Sequence, residues 1–178
     1  MLIMFDYGHG GNDPGAVNGK RKESNDVLML GKAVATVIRA AGITVDETRT
    51  TDTTLSLTDR SNMERKKKYD YFISFHRNAS INKSAYGVET YIFRTSNKKS
   101  SQLATAIQNS LVGIGFKNRG VKVGNFHVLR ETYSPAVLLE VGFISNVNDN
   151  KLFDGRFDEI VDVISKAIIK CGGQKQFS

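Results

Sequence analysis

Short apolar runs and segments with helical apolar spacing take turns along this chain, and that alternation narrows the fold more than any other feature. Residues 2–6, 43–48, 71–75, 87–93, 126–129 and 136–141 read as strands, being short, apolar and bounded by turn residues. Between them, 25–41, 56–68, 101–112 and 156–170 carry apolar side chains at helical spacing. Val27, Leu28, Leu30, Val34, Val37 and Ile38 form one such stripe, and Phe157, Ile160, Val161, Ile164 and Ile168 another. Gly42 is a natural helix stop, and Ser56 is suited to cap the second helix. Strands interleaved with helices predict an α/β fold: a twisted, mostly parallel central β-sheet flanked by helices on both faces.

With 178 residues and 40% apolar content, the chain suffices for one domain with a complete core. The single cysteine, Cys171, excludes an intrachain disulfide, so the fold rests on packing. The expected domain covers residues 1–171, and the polar, glycine-rich stretch 172–178 reads as the start of a linker to a further module. Met1 runs directly into Leu2, Ile3, Met4 and Phe5, without the basic lead-in or cleavage site of a signal peptide. No apolar run approaches the ~20 residues of a membrane span. The expectation is therefore synthesis in the cytoplasm and no membrane partner.

Lys and Arg outnumber Asp and Glu by 25 to 18, a net charge of +7, which favours an anionic partner. The charge is spread rather than gathered into an arm, which argues against nucleic acid. The one dense run, Arg65 to Lys68, reads as the solvated end of a helix, where cations are favoured.

Two of the three histidines stand where chemistry is expected. His9 follows the first strand inside Gly8-His9-Gly10-Gly11, and His76 follows the strand 71–75. Ligands of open parallel sheets bind along the carboxyl ends of the strands. Glycines around His9 leave its imidazole unshielded and allow unusual backbone angles. His127, inside the apolar run 126–129, reads instead as a structural histidine.

Two histidines leave a zinc ion one protein ligand short, and His₂Glu is a common catalytic set. Glu23 and Glu140 compete for the third place. Glu23 has a second explanation as a glutamate favoured at a helix start. Glu140 ends the apolar run 136–141, where an unpaired charge costs several kcal/mol unless it lies at a functional edge. It suits a general base with a raised pKa, or a buried ion pair. The residues alone do not divide these roles. No Gly-x-Ser-x-Gly elbow and no Walker-type phosphate loop occurs.

These pieces together resemble the zinc-dependent N-acetylmuramoyl-L-alanine amidases of autolysins, sporulation enzymes and phage endolysins. The matching segments, in order, are Asp6 to Gly11 with Asp13 to Ala16, Glu23, Thr48-Arg49, Leu57 to Arg60, Ser74 to Ala79, Gly87 to Glu89, Asn125 to Arg130 and Pro135 to Asn146. The resemblance implies that His9, Glu23 and His76 hold one Zn2+ ion per chain and that Glu140 is the catalytic acid/base. It further implies hydrolysis of the bond between N-acetylmuramic acid and L-alanine in bacterial peptidoglycan; the positive charge fits anionic wall polymers as further partners, and the lack of a signal peptide fits release to the wall by phage or mother-cell lysis. Asp6 and Asn78 are candidates to orient ligands or the loop, or to cap turns, and Arg130 to orient them or touch substrate. Glu89 matches the pattern without an assigned role. Tyr7 stands where proline is usual and Arg77 where a small residue is commoner, departures expected to bear on substrate detail. A zinc peptidase cutting within the stem peptide and a non-catalytic wall-binding module are the alternatives.

Overall fold

The computed structural model describes residues 1–173. The elements in order are β1 (Leu2–Tyr7), β2 (Val17–Asn18), β3 (Arg21–Lys22), α1 (Glu23–Ala40), β4 (Thr44–Glu47), α2 (Leu57–Glu64), β5 (Tyr71–Asn78), β6 (Val88–Ile92), α3 (Lys98–Gly113), β7 (Asn118–Val123), α4 (His127–Arg130), β8 (Ala136–Phe143), α5 (Val147–Gly155) and α6 (Phe157–Gly173). Six strands form one sheet in the order β4-β1-β5-β8-β6-β7, and β2 and β3 make a separate small hairpin. All neighbours in the large sheet run parallel except β6 and β8. The expected α/β architecture, mostly parallel and covered on both faces, is what the chain adopts.

Strand side chains alternate between the faces, and the alternation divides the protein by chemistry. Ile3, Phe5 and Tyr7 of β1, with Tyr71, Ile73 and Phe75 of β5 and Val137, Leu139 and Val141 of β8, face the main core. That core is closed by Val27, Leu30, Val34 and Ile38 of α1, Leu103 and Ile107 of α3, and Ile160, Ile164 and Ile168 of α6. Each such side chain, buried whole, contributes about 1.5–3 kcal/mol. Of the expected α1 stripe only Val37 remains largely outside, 39% exposed.

The opposite face is apolar only near its start. Met4, Phe72, Ala136 and Leu138 pack there with Val128 and Leu129 of α4 and Met63 of α2. Further along the same strands, positions of the same parity turn polar: Asp6, Ser74, His76 and Glu140. The short helices α2 and α4 leave the carboxyl end of this face open, and the site forms there.

Several expectations need correction. Residues 126–129 are not a strand: Arg130 N–H donates to the Phe126 carbonyl at 3.0 Å and Glu131 N–H to that of His127 at 2.8 Å, a single helical turn. Val128 and Leu129 are consecutive and both buried, which a helix allows and a one-sided strand does not. The second helix ends at Glu64, so Arg65 to Lys68 lie beyond it. Glu64, fully buried, accepts from the backbone N–H groups of Tyr133 (3.0 Å) and Ser134 (2.9 Å). The edge strand β7 and the helix α5, capped by Asn146, were not foreseen. Gly172 and Gly173, expected to open a linker, belong to α6, and the remainder of that stretch lies outside the described residues.

Candidate active site

The loop after β1 is held in an unfavourable shape. His9 has φ 61°, the left-handed region that residues other than glycine rarely enter. Two buried arginines hold it there. Arg60 donates to the carbonyls of Tyr7 (2.6 Å) and His9 (2.7 Å), and Arg49 to those of Tyr7, Gly8 and Ser24, each at 2.9 Å. Ser24 belongs to α1, so Arg49 also ties the loop to the helix. Asp6 fixes Arg60 through a 2.8 Å ion pair and accepts from Thr48 Oγ1 (2.8 Å) and Ser74 Oγ (2.7 Å). Burial alone would raise the Asp6 carboxyl, but the Arg60 guanidinium and the Ser74 hydroxyl hold it below the usual range. Asp6 is thereby bonded to Arg60, the residue that holds the loop carbonyls. Arg49 and Arg60 had no role in the sequence-based expectation, although both fall within the matching segments.

Glu23, the first residue of α1, gathers the histidines. Its Oε1 lies 3.2 Å from His9 Nε2 and 3.0 Å from His76 Nδ1. The same oxygen accepts from Arg77 N–H at 3.0 Å, and Oε2 from Ala16 N–H at 2.9 Å. One donor atom from each of the three side chains lies within 4.8 Å of the others. Burial works against the Glu23 carboxylate, yet the two imidazoles hold its pKa far below the ordinary value. His9 Nδ1 faces Asp13 Oδ2 at 2.8 Å, so its outer nitrogen is oriented by a carboxylate. Burial disfavours charge on His9, but Glu23 and then Asp13 outweigh it and raise the pKa.

Two glycines leave room for this cluster. A Cβ on Gly8 would stand 2.2 Å from His76 Cε1, and one on Gly15 2.6 Å from His9 Cδ2 and 2.7 Å from Glu23 Oε2. The donor set suits a metal ion: two imidazoles and a carboxylate, a combination found in catalytic zinc sites. An imidazole backed by a carboxylate is the usual support for such a ligand.

Glu140 stands beside this cluster on β8, paired in register with His76 on β5 and with Glu89 on β6. The residue is half-buried, while its Oε2 is enclosed and has no hydrogen-bond partner among the described residues. Burial first, then the charges of Glu23 and Glu89, push its pKa well above the ordinary carboxylate value. Glu89 stays ionised, because Lys122 and Arg119 more than offset its burial. It accepts from Asn78 Nδ2 at 2.5 Å and Arg119 Nε at 3.2 Å, and pairs with Lys122. Asn78 Oδ1 accepts from Ala79 N–H at 2.8 Å, so Asn78 ties the end of β5 to Glu89.

The expected positions are not all brought together. Arg130 turns aside, bonded to Asn125 Oδ1 and Glu131 Oε1 at 2.8 Å each, in a recess with Arg94 and Tyr133. Tyr7 and Arg77 both turn their side chains into the interior. Tyr7 lies fully buried against Gly31 of α1, with its hydroxyl on Glu47 Oε1 at 2.8 Å. The Arg77 side chain is wholly enclosed, 2.6 Å from Asp26 Oδ2 and 4.2 Å from the Phe153 ring centre. Strand alternation sends it to the face opposite His76.

A cleft of about 590 Å³ opens over the cluster. His9, Glu23, His76 and Glu140 line it together with Leu55, Leu57, Phe126 and His127. His127 thus belongs to the cleft rather than to the core.

An α/β domain with a His-Glu-His cluster beside a carboxyl of raised proton affinity, at the carboxyl edge of its sheet, has the layout of a metal-assisted hydrolase. The chain belongs to the N-acetylmuramoyl-L-alanine amidase family, whose model matches residues 3–170. It is 36% identical over 161 residues to the sporulation-specific N-acetylmuramoyl-L-alanine amidase of Bacillus subtilis (strain 168), covering 88% of this chain and 62% of that protein. A probable cell wall amidase LytH of Staphylococcus epidermidis is also 36% identical, across 98% of this chain and 57% of its own length. The chain thus spans about three fifths of these curated relatives. It matches the solved catalytic domain of CwlV, an N-acetylmuramoyl-L-alanine amidase from Bacillus (Paenibacillus) polymyxa var. colistinus, with a TM-score of 0.89 and 34% identity, over 98% of this chain and 99% of that one. Among the described residues no helix is long and apolar enough to cross a membrane.

Proposed function

We propose that this chain hydrolyses the amide bond between the lactyl group of N-acetylmuramic acid and the L-alanine of the stem peptide in bacterial peptidoglycan. His9, Glu23 and His76 would hold one zinc ion, and Glu140 would move the proton. The observation that carries this reading is the conjunction of the three gathered donors with the unpartnered, charge-disfavoured Glu140 on the adjoining strand. Family membership supports the choice of bond.

A zinc ion bound there would supply Lewis acidity toward the scissile carbonyl and lower the pKa of a water toward about 7. Glu140, with a proton affinity raised by burial and by its carboxylate neighbours, accepts the proton of the attacking water and delivers it to the leaving amine. Glu23 remains ionised beside the histidines and serves as ligand, not as base. Asp13 and the Arg49–Arg60 clamp keep His9 in its strained pose. The net charge of +7 favours retention on a wall rich in phosphate and carboxylate.

Digestion of purified peptidoglycan, with and without a chelator, tests the reading. The expected products are free L-alanine amino termini on an intact glycan, formed only without chelator. New termini inside the stem peptide would indicate a peptidase instead. Binding to the wall without any cleavage would leave a binding module.

A further inference from the structure

Most polar groups lining the cleft outside the cluster are already engaged. Arg60 spends its guanidinium on Asp6 and on the carbonyls of Tyr7, His9 and Leu55. Asp6 accepts from Arg60, Thr48 and Ser74, and Asn78 donates to Glu89 while accepting from Ala79 N–H. Ser56 closes the capping box of α2 with Asp59, and Asp13 accepts from Gly15 N–H while facing His9. Thr54 Oγ1 already accepts from Asn12 N–H. His127 lines the cleft too, and one nitrogen of its ring has no partner among the described residues.

Ser61 Oγ lies 3.3 Å from His127 Nε2 and 3.1 Å from the Thr58 carbonyl, to which it can donate its single proton. With the proton so placed, Nε2–H makes the imidazole contact and Nδ1 keeps a lone pair. Nδ1 has no partner among the described residues and is not enclosed. The ring is firmly mounted as well. Val128 and Leu129 behind it are buried, and Phe126 before it stacks edge-on with Tyr91 at 5.0 Å. A rigid acceptor on an otherwise apolar wall is the kind of sparse polar group that fixes a ligand's orientation.

We propose that His127 is a substrate-binding residue, its Nδ1 accepting a hydrogen bond from an amide N–H of the glycopeptide in the cleft. The proposal rests on the amidase reading above and adds to it a contact in the cleft outside the cluster. An N-acetylated, peptide-bearing sugar carries amide N–H groups on both sides of the scissile bond. An acceptor here sets the register of the chain while the cluster engages the carbonyl.

The test exploits the shapes of two amides. Asparagine carries its Oδ1 on Cγ, as histidine carries Nδ1, whereas glutamine reaches the position of Nε2. With a soluble disaccharide-peptide wall fragment and zinc-loaded protein, His127→Phe should raise KM about 3- to 10-fold, the worth of one ordinary hydrogen bond. Its kcat should stay within about twofold, with unchanged zinc content. His127→Asn should return KM close to the wild-type value, and His127→Gln should not. An unchanged KM in the phenylalanine variant would overturn the proposal. So would rescue by glutamine alone, which would reduce the residue to a brace on Ser61, or a fall in kcat at constant KM. Failure of the amidase reading shows separately, in a wild-type protein that releases no L-alanine termini, and it removes the proposal with it.

Discussion

His76 and Glu140 sit opposite each other in register on the adjacent parallel strands β5 and β8, so both side chains emerge on the same face. A metal-type donor and a carboxyl of raised proton affinity are thereby neighbours by virtue of sheet pairing alone. Glu140→Gln keeps the shape and removes the base. Activity on purified wall should fall about 10²- to 10⁴-fold while bound zinc stays at one per chain. His76→Ala should lose the zinc itself. Near-normal turnover in the glutamine variant would assign the proton to another group.

The same carboxyl makes a prediction about stability in the metal-free protein. Its pKa is raised in the folded chain, by burial first and then by Glu23 and Glu89. Its contribution is therefore fully favourable below the unfolded carboxyl value, about 4.3, and is lost as pH rises toward the folded value. Glu140→Gln does not titrate, so at neutral pH it should melt higher than the wild type. Each kcal/mol relieved is worth about 2–4 °C in a domain of this size. The difference should shrink to nothing near pH 4. Melting curves of both proteins across that range, in chelator, decide it; an advantage that did not vary with pH would contradict the assignment.

Asp6 should behave in the opposite sense. Its pKa is lowered despite burial, by Arg60 and Ser74, so its contribution is present above the unfolded carboxyl value and lost as pH falls through the lower folded one. Asp6→Asn leaves the Arg60 charge buried beside an amide and should cost about 3–5 kcal/mol. Denaturant unfolding at neutral pH measures the loss. A cost below ~1 kcal/mol would mean that the pair does not anchor the His9 loop.

The legible part of this molecule lay in its periodic segments. Val27, Leu30, Val34 and Ile38 announce α1 because a helix repeats its buried face, and the run 136–141 announces β8 because a central strand is apolar on both sides. The histidines could be located as strand-end residues from the same pattern. Single-residue roles were harder to see. The edge strand β7 presents its side chains largely to solvent and so lacks an apolar signature. The run 126–129 was too short for periodicity to separate strand from turn, which hid His127 from the cleft. Arg77 could have been assigned to the far face by counting one residue past His76, since strand neighbours alternate. The clamps made by Arg49 and Arg60 join residues 41 to 53 positions apart in sequence and leave no local trace.

Gly8 offers a way to disturb the cluster without touching a donor. A Cβ there would lie 2.2 Å from His76 Cε1 and 2.6 Å from Nε2, well inside contact distance, so the ring must swing away. The glycine backbone is not in the left-handed region, and alanine is therefore tolerated by the chain itself. The strain falls on the imidazole. Gly8→Ala should fold with near-wild-type secondary structure yet bind zinc at least about 10-fold more weakly, in line with losses seen when a ligand is misoriented. Gly19→Ala is the control: it meets nothing within 4 Å but has φ +61°, so it should cost about 1 kcal/mol of stability and leave zinc binding unchanged. Competition with a chromogenic zinc chelator, alongside circular dichroism, separates the two. Equal zinc affinity in both variants would show that the close approach of Gly8 to His76 does not set the geometry of the cluster.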